Sequence, residues 1–180
     1  MALTSTIYNL EIELADVDRG VYETLDLRVA QHPSETAEYM LTRVLAYCLQ
    51  YQEGIRFAEG GISSGDEPAV SVRDLTGRMT AWIEIGMPDA ERLHRGSKLA
   101  GQVAVYTHRD AGQVLRQLAG QKIHRASEIP VYAFDRRFIE EAAGLVERRT
   151  RLSLSVSDGQ LYLVIGGRTF SSAVEEHRIG

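Results

Sequence analysis

Glu84 is an acid set in an apolar run, Met-Thr-Ala-Trp-Ile-Glu-Ile at residues 79–85. Side chains alternate between faces along a strand, so Ile83 and Ile85 point one way while Trp82, Glu84 and Gly86 point the other. A carboxylate there needs a cation or several hydrogen bonds, because an unpaired buried charge is costly or takes up a proton. Two bland outcomes stay open: a solvated strand face, or a structural pair with an arginine. A second acid, Asp66, lies in the loop at residues 60–68, just ahead of the hairpin whose second strand carries Glu84. Glu67 could stand in for Asp66, although turn chemistry before Pro68 accounts for it as readily. Glu35 and Glu38 sit at the start of the first helix. Glu35 would complement the positive helix end there, and a helical wheel sets Glu38 beside Leu41 and Leu45.

Basic groups are available on the helix that follows Glu84. It offers His94, Arg95 and Lys98. The wheel places Ala90, Leu93, Ser97 and Ala100 on the buried stripe, with Arg95 and Lys98 nearly opposite. A solvated face with Glu91–Arg95 and His94–Lys98 at i,i+4 is the competing reading. Other groups drop out. His32 and His108 have no partner at metal-ligand spacing. Cys48 lies on an apolar helix stripe and reads as core. Gly60-Gly61 with Gly65 lacks the Gly-Lys-Ser/Thr ending of a phosphate-binding loop. The run Arg148-Arg149-Thr150-Arg151 could touch a phosphate backbone, but reads first as a solvated helix end.

The elements that must position these groups are legible from periodicity. Residues 6–15 and 22–30 alternate apolar and polar and are joined by Asp16-Val17-Asp18-Arg19-Gly20, which reads as an antiparallel hairpin. His32-Pro33-Ser34-Glu35 opens a helix with Ala37, Leu41, Val44, Leu45 and Cys48 on one stripe. Residues 70–73 and 79–85 form a hairpin turning at Asp74-Leu75-Thr76-Gly77. A helix from Pro88-Asp89 to about Leu99 leads to a short buried strand at 103–106, parallel to its neighbour. A helix at 110–119, a strand at 131–134 and a helix capped by Asp135 running to about Glu147 follow. The chain then turns back in a hairpin, 152–156 and 161–165, at Asp158-Gly159. This pattern is α/β: a mixed β-sheet flanked by helices, read as one domain over residues 1–180.

The 180 residues carry 44% hydrophobic and 25% charged side chains, the balance of a globular protein. A formal net charge of −5 argues against a broad non-specific nucleic-acid binder, but not against an enzyme with a local basic cleft. One cysteine excludes an intramolecular disulfide and a cysteine-rich zinc site. With no signal-like or membrane-spanning stretch, a cytoplasmic location and no membrane partner are expected.

Taken whole, the chain resembles the bacterial YaeQ family, a variant of the PD-(D/E)XK restriction-endonuclease-like fold, here with an extra N-terminal hairpin. The resemblance runs end to end. Its most specific stretches are His32-Pro33-Ser34-Glu35-Thr36, Asp66-Glu67-Pro68, and Trp82-Ile83-Glu84-Ile85-Gly86 leading into Met87-Pro88-Asp89. It implies a nuclease-like site in which Asp66 and Glu84 hold Mg²⁺, a hard cation suited to oxygen ligands, with no organic cofactor. Glu35 or Glu38 would support the metal from the first helix. The superfamily's lysine two residues after the second acid is Gly86 here. The missing charge would come from the next helix, through Arg95 or Lys98. The implied activity is hydrolysis of DNA or RNA phosphodiesters. The alternative is a non-catalytic descendant acting as an interaction protein in nucleic-acid transactions.

Overall fold

The computed structural model describes residues 4–59 and 67–180. In chain order the elements are β1 (Thr6–Asp16), β2 (Val21–Gln31), α1 (Ala37–Leu49), β3 (Ile55–Phe57), β4 (Val70–Arg73), β5 (Met79–Ile85), α2 (Ala90–Leu99) and β6 (Gln102–Thr107). There follow α3 (Ala111–Leu118), a 3₁₀ turn (Ala126–Glu128), β7 (Pro130–Ala133), α4 (Arg136–Ala143), β8 (Arg149–Ser157), β9 (Gln160–Ile165), β10 (Arg168–Ala173) and β11 (Glu175–Arg178). The strands form two sheets rather than one. The first has the order β10-β9-β8-β1-β2, and the second β11-β7-β6-β5-β4-β3.

The N-terminal hairpin forms as its alternation predicts, with Ile12 opposite Leu25 and Leu10 opposite Leu27. Its other neighbour is distant in sequence: β1 pairs parallel with β8, Asn9 against Arg149. Side chains in the hairpin turn tie down two other parts. The Asp18 carboxylate accepts the N–H groups of Asp158 and Gly159 at 2.8 and 2.9 Å, bracing the tip of the β8–β9 hairpin. Arg19, held by Asp16 at 2.7 Å, donates to the carbonyls of Cys48 and Tyr51 at the end of α1. A cation on those orphan carbonyls is what a helix C-terminus favours.

In the second sheet, β4 and β5 are the expected antiparallel hairpin, and β5, β6 and β7 run parallel. Parallel strands need crossovers, which α2 and α3 supply. The two faces of β5 feed different cores. Ala81, Ile83 and Ile85 join α1, α4 and the inner face of the first sheet, whereas Trp82 packs with Leu93, Val105, Val114 and Leu118 beneath α2 and α3. Helix α1 is buried on nearly every side, from Met40 through Ala46, as a helix between two sheets must be.

Several sequence expectations shift. Helix α1 starts at Ala37, with the Thr36 hydroxyl accepting from the Tyr39 N–H as its cap, so Glu35 precedes the helix. Asp89, Asp110 and Asp135 cap α2, α3 and α4 in the same way. Helix α4 stops at Ala143, short of Glu147. The arginine run at 148–151 is therefore no helix end: Arg149 and Arg151 open β8, and Arg151 pairs with Glu11 on β1 at 3.0 Å. Strands β10 and β11 had no counterpart in the sequence reading. None of the helices among the described residues is long and apolar enough to cross a membrane.

Candidate functional site

Strand β5 delivers Glu84 to the side of the sheet covered by α2, sharing its face with Trp82. Glu84 is 2% exposed. Its charge is met by Arg92, from the first turn of α2: Nε donates to Oε2 at 3.1 Å and Nη2 to Oε1 at 3.0 Å. Nη2 also donates to the Glu67 carbonyl at 3.2 Å, and the guanidinium lies over the Trp82 ring, 5.6 Å from its centroid. This two-point contact is the strong form of a carboxylate–cation pair. Burial pushes the Glu84 carboxyl above its ordinary range, against the hydrogen bonds and charge of Arg92. Burial also opposes the charge on Arg92, but Glu84 outweighs it and the net shift is upward. The charged pair is the state we assign, because a guanidinium stays protonated and both carboxylate oxygens accept from it. The Trp82 indole N–H favours the carboxylate by proximity, yet makes no hydrogen bond of regular geometry.

Gly86 ends the strand at φ +84°, a left-handed conformation, and its N–H donates to the Tyr106 carbonyl at 2.8 Å. A Cβ at this position would lie 3.4 Å from Cε2 of Tyr39. A side chain at this position would start from a left-handed backbone, with its Cβ in van der Waals contact with the Tyr39 ring. Tyr39 itself feels both halves of the centre. Its phenol is raised to about 12, first by burial and then by the charges of Glu84 and Glu35.

Glu35 faces a different arginine. Arg43, on α1, donates from Nε at 2.8 Å and from Nη2 at 3.0 Å, and both side chains are 0% exposed. Glu35 also accepts the His32 N–H at 3.1 Å, and Arg43 donates to the Ala30 carbonyl at 2.9 Å. The remaining nitrogen, Arg43 Nη1, is buried without a partner. This pair bolts the start of α1 to the end of β2. Glu38 is half-buried in the first turn of α1, and its charge acts on His108, whose pKa is lowered by burial in spite of it. Arg95 is 4.0 Å from Glu91, and Lys98 is exposed in the last turn of α2. The described contacts of Glu84 come from Arg92, not from Arg95 or Lys98. Asp66 lies outside the described residues. Cys48 is fully buried, its thiol pushed up to about 12, in keeping with a core role.

Arg92, Arg43 and Tyr39 are thus the participants that sequence reasoning passed over. A signal for Arg92 existed. It lies four residues before Gly96, whose Cβ would meet the Trp82 ring at 2.5 Å. A wheel that took Gly96 as a buried, close-approach position puts Arg92 over the Trp82–Glu84 face. Arg43 carried no comparable signal, because a helix buried all round has no polar face to mark the exception.

A magnesium ion at this centre would need oxygen ligands with free lone pairs. Both oxygens of Glu84 are held by Arg92, and the described residues include no group of three His, Cys, Asp or Glu side chains arranged for a metal. Asp66, the other ligand expected from the sequence, lies outside the described residues.

The family model described as YaeQ protein matches residues 1–174. The chain is 31% identical over 164 residues to the uncharacterized protein YaeQ of Escherichia coli (strain K12), covering 91% of this chain and 90% of that one. The Salmonella typhi YaeQ gives the same identity and coverage. Among solved structures, the YaeQ protein of Pseudomonas syringae superposes with a TM-score of 0.84 at 31% identity, covering 96% of this chain and 95% of that one. That of Xanthomonas axonopodis pv. citri gives 0.85 at 27%, covering 98% and 100%. From its first strand to the last turn before β11, this chain belongs to the YaeQ family.

Proposed function

We propose that the protein is a non-catalytic descendant of the PD-(D/E)XK nuclease fold, acting as an interaction protein in nucleic-acid transactions. The observation that carries this reading is the Glu84–Arg92 pair: the acid that would hold the metal is 2% exposed and spends both oxygens on a guanidinium. A buried bidentate pair stabilises one arrangement of α2 against β5, a positioning role rather than a reactive one. The test is fluorescence anisotropy with labelled single- and double-stranded DNA and RNA, in parallel with a cleavage assay in Mg²⁺ or Mn²⁺. Binding without metal-dependent cleavage is expected. Cleavage by the wild type that Glu84→Gln abolishes would overturn it.

A second reading is Mg²⁺-dependent hydrolysis of nucleic-acid phosphodiesters, and one observation favours it. The cation on Glu84 comes from the helix after the strand, the segment expected to replace the missing lysine. In that case Asp66 and Glu84 would be the ligands, Glu35 and Glu38 the supporting acids, and Arg92 would join Arg95 and Lys98 as the source of positive charge. Each Glu84 oxygen accepts one hydrogen bond from Arg92 and keeps a second lone pair with which it could meet the cation. Manganese soaked into crystals would report this directly, as density bridging Asp66 and Glu84.

A further inference from the structure

The two sheets end in β10 and β2, and in β11 and β3. Three of these edge strands are short: β3 has three residues, β11 four and β10 six. Strand β2 has 11, and β1 is its only strand neighbour among the described residues. Its register with β1 runs unbroken from Val21 to Gln31, so no bulge bends it. It contains no proline, glycine or lysine. Short length, bulges, prolines and lysines are the usual means by which an edge strand avoids recruiting another. β2 uses none of them. Only near its C-terminal end is the backbone taken up by a side chain, where Arg43 donates to the Ala30 carbonyl at 2.9 Å.

The side chains of β2 divide by face. Leu25 and Val29 are buried and Leu27 half-buried on the core side, while Thr24, Asp26 and Arg28 are exposed on the outer side. Asp26 stands directly opposite Glu11 of β1, and Arg28 opposite Asn9. Like charges in opposed positions destabilise a sheet. Glu11 has Arg151 on its other side at 3.0 Å. Neither Asp26 nor Arg28 has an ion-pair partner among the described residues.

The unpaired charges select a partner. When two copies of one strand pair antiparallel about a two-fold axis, only alternate residues turn their N–H and C=O groups to the free side, so the axis falls on a residue. With the axis on Asp26 the two carboxylates oppose each other, and on Arg28 the two guanidiniums do. With Leu27 on the axis, Asp26 of each copy meets Arg28 of the other, Leu25 meets Val29, and Glu23 meets Gln31. Of the positions from Leu25 to Arg28, only this one opposes unlike charges.

We infer that a second copy of this chain docks along β2, antiparallel about a two-fold axis at Leu27, and joins the two first sheets into one continuous sheet. Backbone hydrogen bonds along the edge supply the attraction, and the paired side chains fix the register. Each Asp26–Arg28 contact brings Asp26 the cation that its position opposite Glu11 lacks. The surface belongs to the first sheet and is independent of the nucleic-acid reading built on Glu84.

Analytical ultracentrifugation of the full chain, from micromolar to millimolar concentration, tests it. A monomer–dimer equilibrium is expected. Asp26→Arg and Arg28→Asp each oppose like charges across the axis and should weaken association by about tenfold or more. The double exchange Asp26→Arg/Arg28→Asp opposes unlike charges again and should restore it. All three substitute exposed side chains, and circular dichroism checks that each variant folds. A wild type that stays monomeric at millimolar concentration, single variants that dimerise as the wild type does, or a double exchange no better than the single variants would overturn the assignment.

Discussion

Replacing Arg92 with methionine leaves Glu84 on a 2% exposed site with no cation. The protein then has two choices: bear a buried carboxylate, or protonate it. Protonation sets a ceiling on the cost. At pH 7 the solution lies about 2.7 pH units above the ordinary glutamate pKa, and each unit is worth about 1.4 kcal/mol, so the ceiling is about 3.7 kcal/mol. At pH 5 the same reasoning gives about 1 kcal/mol. The sign follows from linkage. A carboxyl whose pKa is higher folded than unfolded carries a penalty that is full above the folded value and gone below the unfolded one. Burial already pushes Glu84 in that direction with Arg92 present. Without Arg92 the shift grows, and the variant's deficit against wild type narrows as the pH falls from 7 to 5. Loss of the Glu67 carbonyl contact and the stacking on Trp82 adds roughly 1 kcal/mol that does not vary with pH. Urea unfolding followed by Trp82, the only tryptophan and adjacent to the pair, reads the deficit at each pH. The double variant Arg92→Met/Glu84→Met should recover most of the lost stability and show no narrowing. A deficit that stays constant between pH 5 and 7, or a double variant no better than the single, would refute the buried-pair account.

Arg43→Met strands Glu35 in a fully buried site and should cost about 3–5 kcal/mol, lowering the melting temperature by roughly 6–20 °C for a chain of this length; differential scanning calorimetry checks it. Gly86→Lys introduces the lysine that the nuclease reading expects at this position, but puts a side chain on a backbone at φ +84° beside Tyr39. It should destabilise by about 1–3 kcal/mol in chemical denaturation and confer no metal-dependent cleavage. Gly96→Ala places a methyl 2.5 Å from the Trp82 ring. The expected loss is about 1–3 kcal/mol, with a change in Trp82 emission that a surface glycine substitution such as Gly120→Ala would not produce.

The parts of the fold that proved legible are those governed by neighbours in sequence. The alternation that set Trp82 and Glu84 on one face of β5, the Asp158-Gly159 turn and the aspartates before α2, α3 and α4 all express local chemistry. The division into two sheets was not legible, because it rests on β1 pairing with β8, and no local pattern encodes a partner 140 residues away. Strand β11 is short and mostly polar, Glu-Glu-His-Arg, and is a strand only because β7 offers an edge. At the candidate site, Glu84 was recognisable as an acid requiring a partner, whereas Glu35 read as an acid stabilising the start of a helix that it in fact precedes. The partners themselves were not legible, since a guanidinium on a flexible stem can reach from several helix positions and geometry alone selects among them.

The β1–β8 pairing also has a consequence for synthesis. The β1–β2 hairpin leaves the ribosome well before β8, and the edge of β1 that faces β8 cannot pair with it until residues 149–157 have been made. Over that interval an 11-residue strand presents an open row of backbone donors and acceptors. The nascent chain must therefore be sheltered or kept dilute, and a chain cut short before β8 would leave behind an adhesive hairpin rather than a smaller stable protein.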